Sequence, residues 1–298
     1  MGSSTRKRSH RRRALARGSL GDLLLARRLK WHHTPRAAPV FQPWGQHPVA
    51  LLGSFQEYRP SRCSTRVAAL SACSRELFSL HEVLSYADAD DASALNPGWT
   101  CAAHVFALAD CGPLNAQLAG AAAAEERGGC SLHVSNRGGH HSRLRWLDEL
   151  ASQGDAAARR LRRCVAHAVL LAQASEGGDV FPCLSAAKPS HSWVNVCRSG
   201  HYHGLHDHQG AAWSGVYYVR VPASCHGASG ALALRTATSH AHAQRSWCTF
   251  AALTPVEGGL VIFPGWLPHA VLPLVGAPGD VRVSVSFNVG SMDVQDAP

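Results

Sequence analysis

The chain has 298 residues, 46% of them hydrophobic, which is enough for one large domain or two small ones around a real core and excludes a disordered polymer. Its formal net charge is +9, but eleven lysines and arginines fall in residues 1–36 against the single acid Asp22, leaving the remaining body near −1. Such a body offers no general basic surface for phosphates, so nucleic-acid binding is not expected, and no apolar run approaches the ~20 residues of a membrane span, so membrane association is not expected either.

Residues 1–36 are Arg-rich, contain serine and have almost no acid, the composition of a transit peptide for a mitochondrion or plastid. A nuclear signal in RKRSHRRR and a solvated tail are the competing readings, and under them the protein is nuclear or cytoplasmic. Residues 37–100 mix Pro, Gly and Ser with short apolar runs and form a poorly defined extension. A folded domain is expected over residues 101–290, with helices over 113–176 and strands over 190–290. The ten cysteines show no CxxC pair and no zinc-ribbon spacing, and they read as reduced thiols.

Within the helical part, PLNAQLAGAAAAEER spaces Leu114 and Leu118 as one helical face and stops at Gly128-Gly129. SNRGGHHSRLRWLDEL reads as a Gly-broken loop followed by a helix with Ser142 as its N-cap. AAARRLRRCVAHAVLLAQASE, preceded by Asp155, places Leu161, Val165, Ala168, Val169 and Ala172 on one stripe. Arg159, Arg160, Arg162 and Arg163 lie mostly off that stripe, as a solvated face.

After Pro189 the pattern changes. SWVNV, GVYYVRV, ALALR, CTFAAL, LVIFP, AVLPL and VRVSVSFNV are short, rich in β-branched and aromatic residues, and separated by Gly/Pro/Ser links. In the last, Val281, Val283, Val285, Phe287 and Val289 share one face, and Arg282, Ser284, Ser286 and Asn288 share the other. Seven such runs without an intervening helix predict an α+β chain whose core is a double-sheet jelly roll with an N-terminal helical support.

His206 and His208 are two residues apart, so on an extended segment both imidazoles point one way and Asp207 points the other. Two imidazoles on one face are half of a metal site, and His269 in FPGWLPHAV sits where a later strand brings it alongside. His201 and His203 fall in the opposite or leading register and read as substrate-side or solvent residues. The simple cupin pattern is disfavoured, because QGAAWSG follows His208 where that pattern has a glutamate.

The segments SWVNVCRSGHYHGLHDHQGAAWSGVYYVRVP, PVEGGLVIFPGWLPHAVLP and RVSVSFNV together resemble the 2-oxoglutarate/Fe(II)-dependent oxygenases of the double-stranded β-helix fold, and LNAQL and SNRGGHHS resemble that family's helical lead-in. The resemblance implies Fe(II) held by His206, His208 and His269, with 2-oxoglutarate and O2 as co-substrates. It further implies that Arg282 grips the distal carboxylate of 2-oxoglutarate with Ser284 beside it, a pairing consistent with the fork geometry of a guanidinium. Asn195 and Tyr202 are candidates for the remaining contacts, with Tyr218 as an alternative. The implied reaction is oxidative decarboxylation of 2-oxoglutarate coupled to hydroxylation of a C–H bond in a substrate the sequence does not identify; oligomeric state is likewise not legible.

The superfamily's usual ligand set is two histidines and a carboxylate, HxD/E…H, and here His208 stands at the carboxylate position. A three-histidine set carries one less negative charge and is expected to bind Fe(II) more weakly. Asp207 is either an outer partner that orients a ligand histidine or a residue swung inward by a bulge. The alternatives are a non-catalytic metal- or ligand-binding jelly roll and a cupin-type dioxygenase that uses iron without 2-oxoglutarate.

Overall fold

The structure, a computed structural model, describes residues 76–85, 102–176, 186–235 and 250–290. The basic segment 1–36 and the insertion Thr236 to Ser246 lie outside them. Two strands, β1 (Phe78–Ser85) and β2 (Ala102–Leu108), come first. Helix α1 (Gly112–Arg127), the two-residue strands β3 (Asn136–Arg137) and β4 (His140–His141), and helices α2 (Trp146–Ser152) and α3 (Ala156–Ser175) follow. The β region contains β5 (Pro189–Cys197), β6 (Tyr202–His206), β7 (Trp213–Arg220), β8 (Leu232–Arg235), β9 (Phe250–Leu253), β10 (Gly259–Pro264), β11 (His269–Val271) and β12 (Arg282–Val289).

These strands form two antiparallel sheets, a larger one in the order β1-β2-β10-β7-β12-β5-β4 and a smaller one in the order β3-β6-β11-β8-β9. Strands adjacent in space are mostly distant in sequence, as in a jelly roll. The larger sheet is buried on both faces. Val283, Val285, Phe287 and Val289 of β12 pack on one side with Leu118 of α1 and Leu161, Val165 and Val169 of α3, while Tyr218, Val261 and Phe263 face the smaller sheet with Leu232 and Leu234. The apolar stripe of α3 is fully buried and its arginines point outward, where Arg162 pairs with Asp148 at 2.7 Å and Arg160 binds the Ala109 carbonyl at 2.6 Å.

The expected helix and strand regions are present, with three differences. The sheet begins at Phe78, inside the stretch the sequence leaves as an extension, because β2 pairs with β10 (Leu260 opposite Phe106) and β1 adds outside it. Ser142 is not a helix cap: its hydroxyl accepts from the Val194 N–H at 2.9 Å and tacks the chain to β5, while α2 starts at Trp146 and takes a hydroxyl from another strand, the Leu147 N–H donating to Ser192 Oγ at 3.2 Å. AVLPL pairs only through Val271, since Pro273 has no N–H to donate. The next residues instead bind the turn before β6, Leu274 N–H donating to the His201 carbonyl at 3.0 Å.

Candidate metal and co-substrate site

The cavity between the two sheets is lined at one end by His206, His208 and His269. One ring nitrogen of each lies within 4.8 Å of those of the other two. Strand pairing sets two of them: His206, the last residue of β6, is directly opposite His269, the first of β11, and their ring centroids are 4.3 Å apart. His208 lies beyond the strand, so alternation alone does not place it. Its backbone N–H donates to the Gly265 carbonyl at 2.8 Å, which holds its ring 5.1 Å from each of the other two.

The rings are prepared as ligands. A carbonyl can only accept, so Nδ1–H of His206 donates to the Gly204 carbonyl at 2.7 Å and Nδ1–H of His269 to the Leu267 carbonyl at 2.8 Å, leaving each Nε2 unprotonated, with that of His206 3.4 Å from Ser135 Oγ. Burial, reinforced by neighbouring imidazoles, holds His208 down to about 4 and His269 to about 3, and burial also lowers His206. All three are neutral near pH 7, the form that binds a metal.

β6 carries a bulge that the sequence does not announce. Val271 is opposite His203 while His269 is opposite His206, so three steps on β6 match two on β11. The extra residue turns Leu205 out, 57% exposed, and His203 in, 7% exposed and lining the cavity. Of the solvent and substrate-side readings of His203, its place in the lining is compatible only with the second. Its Nδ1 is 3.4 Å from Ser135 Oγ and its Nε2 3.8 Å from Cys197 Sγ; burial first, and then the Arg282 charge, hold the ring well below its ordinary value. The bulge does not bring Asp207 in: that residue does not line the cavity and is not part of the histidine group.

The opposite wall is made by the central strands of the larger sheet. Ser284 on β12 pairs with Asn195 on β5 and with Tyr218 on β7, so the three side chains form a row across one face. One step along, Ser286 pairs with Trp193 and Val216, and Asn195 Nδ2 donates to Ser286 Oγ at 3.1 Å. All six line the cavity. Burial pushes the Tyr218 phenol up to about 12, so it stays protonated. Tyr202, by contrast, sits on β6 in the phase opposite His203, pairs with Arg137 of β3 and does not line the cavity, which removes it from the candidate contacts.

Arg282 opens β12 and is 2% exposed. Its guanidinium donates to the Gly230 carbonyl at 2.6 Å and lies 3.6 Å from Cys197 Sγ, while Nε is buried without a partner. Among the described residues no carboxylate pairs with it and no acidic residue lines the cavity. A buried, unneutralised guanidinium is costly unless a ligand supplies the missing anion. This wall therefore fits a carboxylate, and the neutral imidazoles fit a divalent metal.

Residues 191–288 match the family model described as "Putative 2OG-Fe(II) oxygenase", where 2OG is 2-oxoglutarate. No curated protein matches significantly. Among solved structures, a Pseudomonas putida prolyl-4-hydroxylase aligns over 61% of this chain and 88% of its own at 16% identity and a TM-score of 0.45. A 2OG-Fe(II) oxygenase-family oxidoreductase from Burkholderia pseudomallei aligns over 60% and 78% at 11% identity and a TM-score of 0.36. AviO1 from Streptomyces viridochromogenes aligns over 63% and 87% at 12% identity and a TM-score of 0.39. Residues 191–288, the part of the chain similar to the 2OG-Fe(II) oxygenase family model, contain all three clustered histidines and Arg282.

Proposed function

We propose that this chain is an Fe(II)- and 2-oxoglutarate-dependent dioxygenase that hydroxylates a substrate not identified by its sequence, with His206, His208 and His269 as metal ligands and Arg282 as the anchor of the distal carboxylate. The observation that carries the reading is the facing of two complementary groups across one cavity: three neutral imidazoles and one buried guanidinium that has no acid beside it among the described residues. Bound iron supplies oxygen activation coupled to decarboxylation of 2-oxoglutarate; the protein supplies the rest.

The carbonyls of Gly204 and Leu267 fix the tautomers of His206 and His269, so neither ring has to reorganise to ligate. Arg282 donates to the Gly230 carbonyl and to Cys197 Sγ, while its Nε–H, buried without a partner, is left for a carboxylate, and the Ser284 hydroxyl beside it adds a neutral donor. Tyr218, protonated, is a second donor on the same row. Trp193, Phe263 and Leu232 complete an apolar surround that limits water near the reacting centre.

Anaerobic addition of Fe(II) and 2-oxoglutarate to the purified protein tests this. A weak visible charge-transfer band that requires both components is expected. Iron binding without any response to 2-oxoglutarate replaces the proposal with a cupin-type dioxygenase, and failure to bind iron replaces it with a non-catalytic jelly roll.

A further inference from the structure

The three clustered histidines are not held alike. His206 and His269 each donate from the ring to a carbonyl two residues back, whereas among the described residues no hydrogen bond reaches either ring nitrogen of His208. His208 also lies beyond the end of β6, with only its backbone N–H fastened, to the Gly265 carbonyl at 2.8 Å. Its ring orientation therefore comes from packing. The rings against it are His206 and His269, within the cluster, and Trp193, outside it, with centroids 5.6 Å apart and planes at 48°. That separation is within the range at which aromatic pairs attract.

Trp193 is itself braced from behind. The ring of His141 lies nearly parallel to it, at a centroid distance of 5.5 Å and an interplanar angle of 12°. His141 on β4 is opposite Asn195, so it stands diagonally from Trp193 on β5, a spacing that aromatic side chains span. It is buried but does not line the cavity, and its orientation is fixed at several points. Its N–H donates to Ser131 Oγ at 3.1 Å, its carbonyl accepts from Leu132 N–H at 2.9 Å, and its Nδ1–H donates to the Ser142 carbonyl at 2.7 Å. Gly139 permits the close approach of β4: its φ is +75°, and a Cβ there would sit 2.6 Å from the Val196 carbonyl oxygen. The segment SNRGGHHS, which precedes the family match at 191–288, thereby reaches the site. We infer that His141 and Trp193 are positioning residues for His208: His141 holds the indole in place, and the indole restricts rotation of the one clustered imidazole that no hydrogen bond orients. The inference rests on the reading of His208 as a metal ligand.

The test is calorimetric titration of the metal-free full chain with Co(II). His141→Leu keeps most of the buried volume and removes the flat ring, whereas His141→Phe keeps the ring and removes its nitrogens. One aromatic contact is worth a modest factor in affinity, so His141→Leu is expected to weaken Co(II) binding about fivefold and His141→Phe to stay within about twofold of the parent. The penalty of His141→Leu is expected to fall below about twofold when His208 is already alanine, because a positioning residue acts only through the residue it positions. An equal penalty in both backgrounds shows general support of the fold and overturns the assignment. So does unchanged affinity in His141→Leu, or a phenylalanine variant no better than the leucine one. If His141→Leu does not fold, Trp193→Leu decides the matter: it is expected to cost at least about fivefold in the parent and less than about twofold in His208→Ala, and equal costs overturn the assignment. A parent that does not bind Co(II), or a His208→Ala protein that binds it as tightly as the parent, refutes the reading of His208 as a ligand, on which the inference stands.

Discussion

Replacing Arg282 by methionine separates a binding role from a structural one. Methionine keeps much of the length and apolar volume and removes the fork and the charge. Hydrogen bonds to charged groups contribute about 1.5–3 kcal/mol each, so losing a bidentate pair with the distal carboxylate costs about 3–6 kcal/mol, or about 10²- to 10⁴-fold in 2-oxoglutarate affinity. Stability is expected to respond differently. The Gly230 carbonyl loses its 2.6 Å donor, a penalty of about 1–3 kcal/mol, but the fold is relieved of a guanidinium that is 2% exposed, has no acid partner and leaves Nε unbonded. The two effects are of similar size, so the metal-free variant is expected to melt within about 8 °C of the parent. The assays are thermal unfolding of both proteins and anaerobic titration of 2-oxoglutarate into the Fe(II)-loaded forms. Affinity within about fivefold of the parent, with an unchanged melting temperature, refutes the assignment of Arg282 to the co-substrate. A collapse of the fold shows that Arg282 is structural.

Three further outcomes follow from the same geometry. His269→Ala removes a ligand whose orientation is already fixed by Leu267, and isothermal titration with Co(II) is expected to show affinity lowered by at least about 100-fold; an unchanged isotherm places the metal elsewhere. Gly215 lines the cavity, and a Cβ there would sit 2.5 Å from Phe287 Cζ and from the Val261 carbonyl oxygen, so Gly215→Ala is expected to lower unfolding stability by about 1–3 kcal/mol in urea titrations, whereas a neutral result means that β7 and β12 move apart freely. His81 on β1 is held down to about 4 by burial and then by His104, against 6.5 in the unfolded chain. The unfolded chain therefore takes up a proton below pH 6.5 that the folded one refuses until about pH 4, so the stability linked to this ring is complete above pH 6.5 and is lost as pH falls through that window. The ring is only half-buried, and screening reduces the effect to about 1–2 kcal/mol. His81→Phe keeps the stack on Phe106, at a centroid distance of 4.1 Å, and is expected to flatten the stability profile between pH 6.5 and 4; an unaltered profile contradicts the ring's neutrality.

Much of the architecture follows from local pattern. The alternation of Val283, Val285, Phe287 and Val289 with Arg282, Ser284 and Ser286 determines which side of β12 meets the helices and which meets the cavity, because side chains on a strand change face at every residue. The stripe Leu161, Val165, Ala168, Val169 and Ala172 likewise determines the buried side of α3. The HxH pair and the distant His269 pointed to a group of metal-ligating side chains, and the structure brings those three rings together, whereas the role of Arg282 came only with the family resemblance.

What the sequence by itself did not decide are the features that depend on partners distant along the chain. Whether Phe78–Ser85 is a strand depends on β2 being available beside it, and β2 in turn on β10. Ser142 has the local chemistry of a helix cap, yet the Val194 N–H of a strand some fifty residues later takes its hydroxyl. Strict alternation predicts that His203 and His206 face opposite ways; the bulge against β11 turns both inward and leaves Asp207 outside, and a bulge is set by the register of two strands whose pairing no single segment encodes. The residue types of the site were written in the chain, but the shape of the cavity, its fourth histidine and the lack of a carboxylate among its described lining residues depend on strand register, because register determines which side chains share a face.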